Sequence, residues 1–231
     1  MQRYFVNKLD NLITGADCHH IKNVMRMKPG DFIIVCHNKQ SFRAILTKID
    51  EIIEYNVVGQ INEDDGLDIT LVQGMPKASK IDFILKYATC FGVSKIIFTE
   101  MERSVAKITN IDNKQKRFDS IVKEAAELAH RNTIPKVEFV NRIQNVNFAE
   151  YDIVLLADEE EKQIRIKDLN LDVNNKSICV IIGPEGGIDK KFRDFIKNKS
   201  KSISLGNNIL PTESAIIYVL SVLYENKEQL I

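Results

Sequence analysis

Apolar and polar positions change rhythm once along this chain, near residue 68. Before that point the apolar residues fall in short β-rich runs: Phe32 to Cys36, Phe42 to Ile49 and Tyr55 to Ile61. Polar turns such as Lys28-Pro29-Gly30-Asp31 and His37-Asn38-Lys39 separate them. Asp17 to Met25 is the one helix candidate in this portion, so residues 1–68 read as a small β-barrel domain. Asn62-Glu63-Asp64-Asp65-Gly66 is polar and ends on glycine, which makes it the expected linker.

From Ile69 onward strands alternate with helices, and residues 69–231 read as a second domain. Ile69 to Gln73, Lys95 to Thr99, Val137 to Val140, Ile153 to Ala157, Ile178 to Ile182 and Ser202 to Leu205 are the strand candidates. Ile81, Ile84, Leu85 and Ala88 share one helical stripe that Gly92 closes. Phe118, Ile121, Val122, Ala125, Ala126 and Ala129 mark another, and Ile216, Val219, Leu220 and Leu223 a third, beginning at Thr212. Such alternation predicts an α/β fold: a mostly parallel sheet with helices on both faces.

Composition narrows the function classes. The 231 residues are 44% hydrophobic and 28% charged, the profile of an ordinary soluble protein. The opening Met1-Gln2-Arg3-Tyr4-Phe5 runs into polar residues, unlike a secretory leader, and no apolar run reaches membrane-spanning length; a cytoplasmic protein is expected. A formal net charge of +0 argues against indiscriminate binding to polyanions. The charge is unevenly spread, however: Lys77 to Lys136 has an excess of Lys and Arg, and Glu150 to Asp172 an excess of Asp and Glu. A local basic face suits selective contact with one RNA site, and a solvated helix face explains it equally well. Cys18, Cys36, Cys90 and Cys179 are scattered without a CxxC pair, and His19-His20 is the one histidine cluster, so no metal site is expected.

Two stretches near the carboxyl end carry the chemistry. Ile178 to Ile182 is a buried strand that breaks on Gly183-Pro184-Glu185-Gly186-Gly187, after which Asp189 is placed to cap a helix bearing Phe192, Phe195 and Ile196 on one face. Ser204-Leu205-Gly206-Asn207-Asn208-Ile209-Leu210-Pro211-Thr212 repeats that grammar of strand, glycine turn and helix start. Two such turns at adjacent strand ends expose backbone N–H and C=O groups that a ligand can approach closely.

The wording IIGPEGGI, followed by LGNNILPTESA, resembles the RsmE family of rRNA methyltransferases within the SPOUT superfamily. The likeness extends over nearly the whole chain. His20 to Asp31 resembles the family's N-terminal H-xxx-VLRMKxGD signature, and Lys80, Asp82 and Ala88 to Val93 its following helix, with Tyr87 and Cys90 in place of a lysine and a glutamate. Arg117 to Ala125, Glu127, Arg131 and Ile134-Pro135 are similar to its third segment.

That resemblance implies a PUA-like RNA-binding barrel followed by a SPOUT domain whose C-terminal segment forms a trefoil knot. It implies a homodimer that binds S-adenosylmethionine and methylates N3 of a uridine in 16S rRNA or the small ribosomal subunit. Carried onto matching positions, it assigns cofactor contacts to Leu156, Ile182, Gly183, Gly187, Leu205, Gly206, Leu210 and Thr212. Glu159 is either a further contact or part of a solvated acidic loop. Glu213 is the candidate carboxylate near the reacting atoms, or else an acidic residue favouring its helix dipole. Arg131 is the candidate catalytic or RNA-facing cation, with Arg103 a second RNA contact, and surface ion pairs are the alternative for both.

The chain departs from the family pattern on the substrate side. Asn208 and Pro211 stand where arginines are usual, and Leu128 where a glutamine is. These changes leave open a different RNA acceptor, or an RNA-binding assembly protein that methylates weakly.

Overall fold

A computed structural model describes residues 1–63, 66–109, 111–169 and 171–228. The chain divides into two compact units, residues 1–65 with 126–134, and residues 66–125 with 135–231. The expected linker at 62–66 lies partly outside the described residues.

The first unit is a five-stranded sheet curled around its own core. β1 (Arg3–Phe5), β3 (Phe32–His37), β4 (Gln40–Ile49), β5 (Ile53–Ile61) and β2 (Leu12–Ile13) lie in that order. β1 runs parallel to β3, and the remaining pairs are antiparallel. Register shifts between Arg43 and Ala44 and between Leu46 and Lys48 let the long β4–β5 pair bend. α1 (Ala16–His19) continues into a π turn, His20–Val24, and brings Ile21 onto a core of Tyr4, Ile33, Val35, Leu46 and Tyr55. Buried Arg3 closes the sheet edge by donating to both carboxylate oxygens of Glu63, at 2.8 and 2.5 Å. Residues 126–134 join this unit, where the Cys36 thiol sits 3.8 Å from the Arg131 carbonyl.

The second unit is a six-stranded sheet in which every pairing is parallel. Its order is β11 (Lys201–Ile203), β9 (Ile153–Ala157), β10 (Ser177–Ile182), β6 (Asp68–Gly74), β7 (Lys95–Thr99) and β8 (Lys136–Val140). Strand residues alternate between two apolar layers. Ile178, Val180 and Ile182 of β10 pack with α2 (Ala78–Cys90), α3 (Ile111–Leu128) and α5 (Thr212–Glu228). Cys179 and Ile181 face the opposite layer, with Phe192 and Ile196 of α4 (Lys190–Ile196). Burying a side chain such as Phe192 contributes about 2 kcal/mol.

Local chemistry sets the helix ends. Asp189 accepts the Phe192 N–H at 2.9 Å, capping α4. Gly92 ends α2 at φ 82°, while the Gly92 and Val93 N–H groups bond the carbonyls of Thr89 and Ala88.

Candidate functional site

The carboxyl ends of β9 and β10 lie side by side because Ala157 pairs with Ile182. Ligand sites in parallel sheets collect at such strand ends, where loops and helix starts converge. Here three segments meet: the turn after β9, the glycine turn after β10, and the run from β11 into α5. They enclose a crevice of about 520 Å³, within the range of small-molecule sites.

Main-chain atoms and small side chains make much of this crevice. Gly187 has φ 78° and its N–H donates to the Pro184 carbonyl at 2.9 Å, a tight turn that a side chain would strain. On the facing segment Gly206 has φ 118° and open space where a Cβ would stand. Leu205, Ile209 and Leu210 supply the apolar cover; Ile209 is 72% exposed, an unusual state for so apolar a residue. The two turns are tied together from behind. Thr212 donates its hydroxyl to the Gly183 carbonyl at 2.7 Å, and the buried Gln73 amide donates to Thr212 Oγ1 at 2.9 Å and to Gly183 at 3.2 Å.

Of the cofactor contacts expected from sequence, Ile182, Gly183, Gly187, Leu205, Gly206, Leu210 and Thr212 all line this crevice. Leu156 does not. Its side chain is buried in the opposite layer among Val154, Ile181 and Phe192, and Ala157, one step along the strand, faces the crevice instead. Thr212 is buried, and its hydroxyl serves the Gly183 carbonyl rather than capping α5.

The acidic turn after β9 is neither free nor simply solvated. Arg193 of α4 reaches Asp158, Glu159 and Glu160 at 2.8 to 3.0 Å. Burial weighs against the Arg193 charge, but these carboxylates outweigh it and raise its pKa. Glu159 Oε1 also accepts the Ile188 N–H at 2.9 Å. Arg193 carries no local sequence signal for this role, because its partners lie more than thirty positions earlier.

Glu213 stands in the first turn of α5, where its carboxylate accepts from Lys80 of α2 at 2.7 Å. Glu185 of the glycine turn lies 3.7 Å from the same ammonium. Burial acts to raise the Glu213 pKa, yet the Lys80 bond and its own backbone N–H prevail and lower it. Lys80 is raised, chiefly by its bond to Glu213. Glu213 is therefore an anion at neutral pH, already engaged by a cation.

Arg103 sits over Gly186, its backbone occupying the space a Cβ there would need, and its guanidinium donates to the Gly186 carbonyl at 3.4 Å. Arg131 is placed elsewhere, in the unit built on the N-terminal sheet, half-buried and donating to Thr133 at 3.1 Å. Asn208 and Pro211 both line the crevice, whereas Leu128 is 67% exposed at the end of α3. Among the described residues no three His, Cys, Asp or Glu side chains converge as a metal site, and no helix is long and apolar enough to cross a membrane.

Comparison with known proteins agrees with this geometry. A family model for an RNA methyltransferase domain matches residues 62–224, and one for an RNA methyltransferase PUA domain matches residues 13–53. Ribosomal RNA small subunit methyltransferase E of Bacillus subtilis is 32% identical, covering 100% of this chain and 98% of its own length. Ribosomal RNA small subunit methyltransferase E 2 of Borreliella burgdorferi is 30% identical over 88% of this chain and 86% of its own. A crystal structure of the Neisseria gonorrhoeae methyltransferase E bound to S-adenosyl methionine is 22% identical, with a TM-score of 0.81 over 96% of each chain; that likeness is one of fold.

Proposed function

Because the chain belongs to the ribosomal RNA small subunit methyltransferase E family, we propose that it is an S-adenosylmethionine-dependent enzyme that methylates N3 of a uridine in 16S rRNA. The observation that carries this reading is the Thr212–Gly183 hydrogen bond, which holds two glycine turns together around one crevice.

The residues present fit the donor. Backbone groups of the turns at Gly183 to Gly187 and Leu205 to Leu210 can bond a purine edge, while Leu205 and Leu210 cover its faces. When bound, the cofactor supplies an electrophilic methyl on a sulfonium. What this chain contributes is alignment and exclusion of water, an effect worth several kcal/mol of the barrier (about 7 or more in well-oriented systems). Uridine N3 must lose its proton to become nucleophilic, and the ionised Glu213 is the carboxylate we assign to that proton. Lys80, bonded to Glu213, keeps the group anionic, and neither side chain lines the crevice.

The N-terminal unit and Arg131 serve RNA recognition in this reading. Two copies associate as a homodimer, for which exposed Phe83 on α2 and Tyr218 on α5 offer aromatic surface. The segment from Lys201 to Thr212 threads the β9–β10 connection as a trefoil knot. The bond from the Ser204 N–H to the Ile164 carbonyl at 2.7 Å, which sets the start of this segment against the loop after β9, supports such a path. The work is cytoplasmic, where ribosomal subunits are made.

The test is transfer of labelled methyl from S-adenosylmethionine to small-subunit rRNA, free and assembled, followed by nucleoside mass spectrometry. Label in 3-methyluridine at one position is expected. Label in another nucleoside, or none in either substrate, would overturn the assignment.

A further inference from the structure

We propose that Arg193, which lines no part of the crevice, positions the methyl-donor site by holding the turn after β9 against the glycine turn after β10. The inference rests on reading the crevice as that donor site.

Three consecutive carboxylates, Asp158, Glu159 and Glu160, would repel one another in a single turn. One guanidinium gathers them. Its Nε donates to both oxygens of Asp158 at 3.0 Å, while its two terminal nitrogens reach Glu159 at 2.9 Å and Glu160 at 2.8 Å. Asp158 is only 7% exposed, so removing this partner would leave a buried carboxylate without its cation. The arginine is itself fixed: α4 is capped by Asp189 and anchored by Phe192 and Ile196, each 1% exposed.

The contact does not stop at the acidic turn. The Glu159 oxygen that takes Arg193 also takes the Ile188 N–H, at 2.9 Å for each. Glu159 thereby lies against Gly187, at the spot where a Cβ would otherwise be. A single oxygen thus links α4 to both crevice walls, and the walls cannot keep their separation without the guanidinium that fills the fork. Lysine cannot replace it, since a single ammonium cannot span three carboxylates in fixed directions.

The test titrates S-adenosylmethionine by calorimetry into the 231-residue protein and its Arg193→Ala, Arg193→Lys and Glu159→Gln variants. The same proteins are assayed for binding to a small-subunit rRNA fragment. Arg193→Ala and Arg193→Lys are expected to weaken donor binding about tenfold or more while RNA affinity stays within about twofold, the mark of a coupling confined to one site. Glu159→Gln keeps an oxygen for Ile188 and is expected to lose less; adding it to Arg193→Lys should cost almost nothing further. If Arg193→Ala does not fold, the lysine and glutamine variants decide. Donor binding by Arg193→Lys within about twofold of the wild type, or equal loss of donor and RNA binding, overturns the role of Arg193 alone. Absence of donor binding by the wild type overturns the donor-site reading and this inference with it.

Discussion

Gly187 and Glu159 are in contact across the two turns that wall the crevice, so that any side chain at Gly187 would collide with the Glu159 carboxylate. Gly187 also has φ 78°, where a Cβ is strained even with space around it. Gly187→Val is therefore expected to push the walls apart. It should reduce S-adenosylmethionine affinity about a hundredfold while the far-ultraviolet circular dichroism is preserved, because the clash is local. Unchanged donor affinity in the folded variant would remove Gly187 from the site.

Lys80 and Glu213 give a pH prediction. The folded Glu213 pKa is lowered, so its stabilising contribution is fully present above the unfolded carboxylate value and disappears as pH falls through the folded one. The pair is partly solvated and worth about 0.5 kcal/mol. Urea unfolding of wild type and Glu213→Gln should differ by that amount near pH 7 and converge as pH falls through the folded Glu213 pKa. In the same variant, turnover should fall by about a hundredfold with donor affinity retained. A variant that turns over normally would leave Glu213 only its place at the helix start.

Gly92 makes room for the Tyr224 hydroxyl, which occupies the space a Cβ would take. Gly92→Ala combines this overlap with a φ of 82° and should cost about 2 kcal/mol by chemical denaturation. Adding Tyr224→Phe should recover part of the loss. If Gly92→Ala is as stable as the wild type, the tyrosine moves aside freely and the packing described there is not tight.

In the N-terminal unit Arg3, whose side chain is 2% exposed, pairs with the more exposed Glu63. Removing Glu63 leaves the Arg3 charge buried, with only the Ser41 hydroxyl and the Cys36 thiol beside it. Glu63→Leu is expected to lower stability by about 3 kcal/mol, and Arg3→Met with Glu63→Leu by clearly less. The Glu63 pKa is lowered, first by its hydrogen bond to Arg3, so this contribution too is lost as pH falls through the folded Glu63 value. Thermal melts of both variants across that range are the check.

The parallel sheet was legible because Ile69 to Gln73, Lys95 to Thr99 and Ile178 to Ile182 are apolar runs bounded by turns, each followed by a helical stripe or a glycine break. Short β1 and β2 were not, since strands of three and two residues hold no periodicity and exist only through pairing with β3 and β5. The glycine turns announced the crevice, and the family resemblance named the residues along it. The Leu156 side chain packs in the opposite layer, and strand alternation with the Ala157–Ile182 register puts Ala157 on the crevice side. The Arg193 cluster was invisible for a different reason. An arginine in a polar helix looks like any other until the fold brings Asp158 beneath it.

The central claim is that main-chain atoms of two glycine turns hold the methyl donor. Amide hydrogen exchange with and without saturating S-adenosylmethionine tests it most directly. The account predicts added protection at residues 182–188 and 204–212, with the N-terminal sheet unchanged. Protection that rises elsewhere and leaves both turns untouched would contradict it.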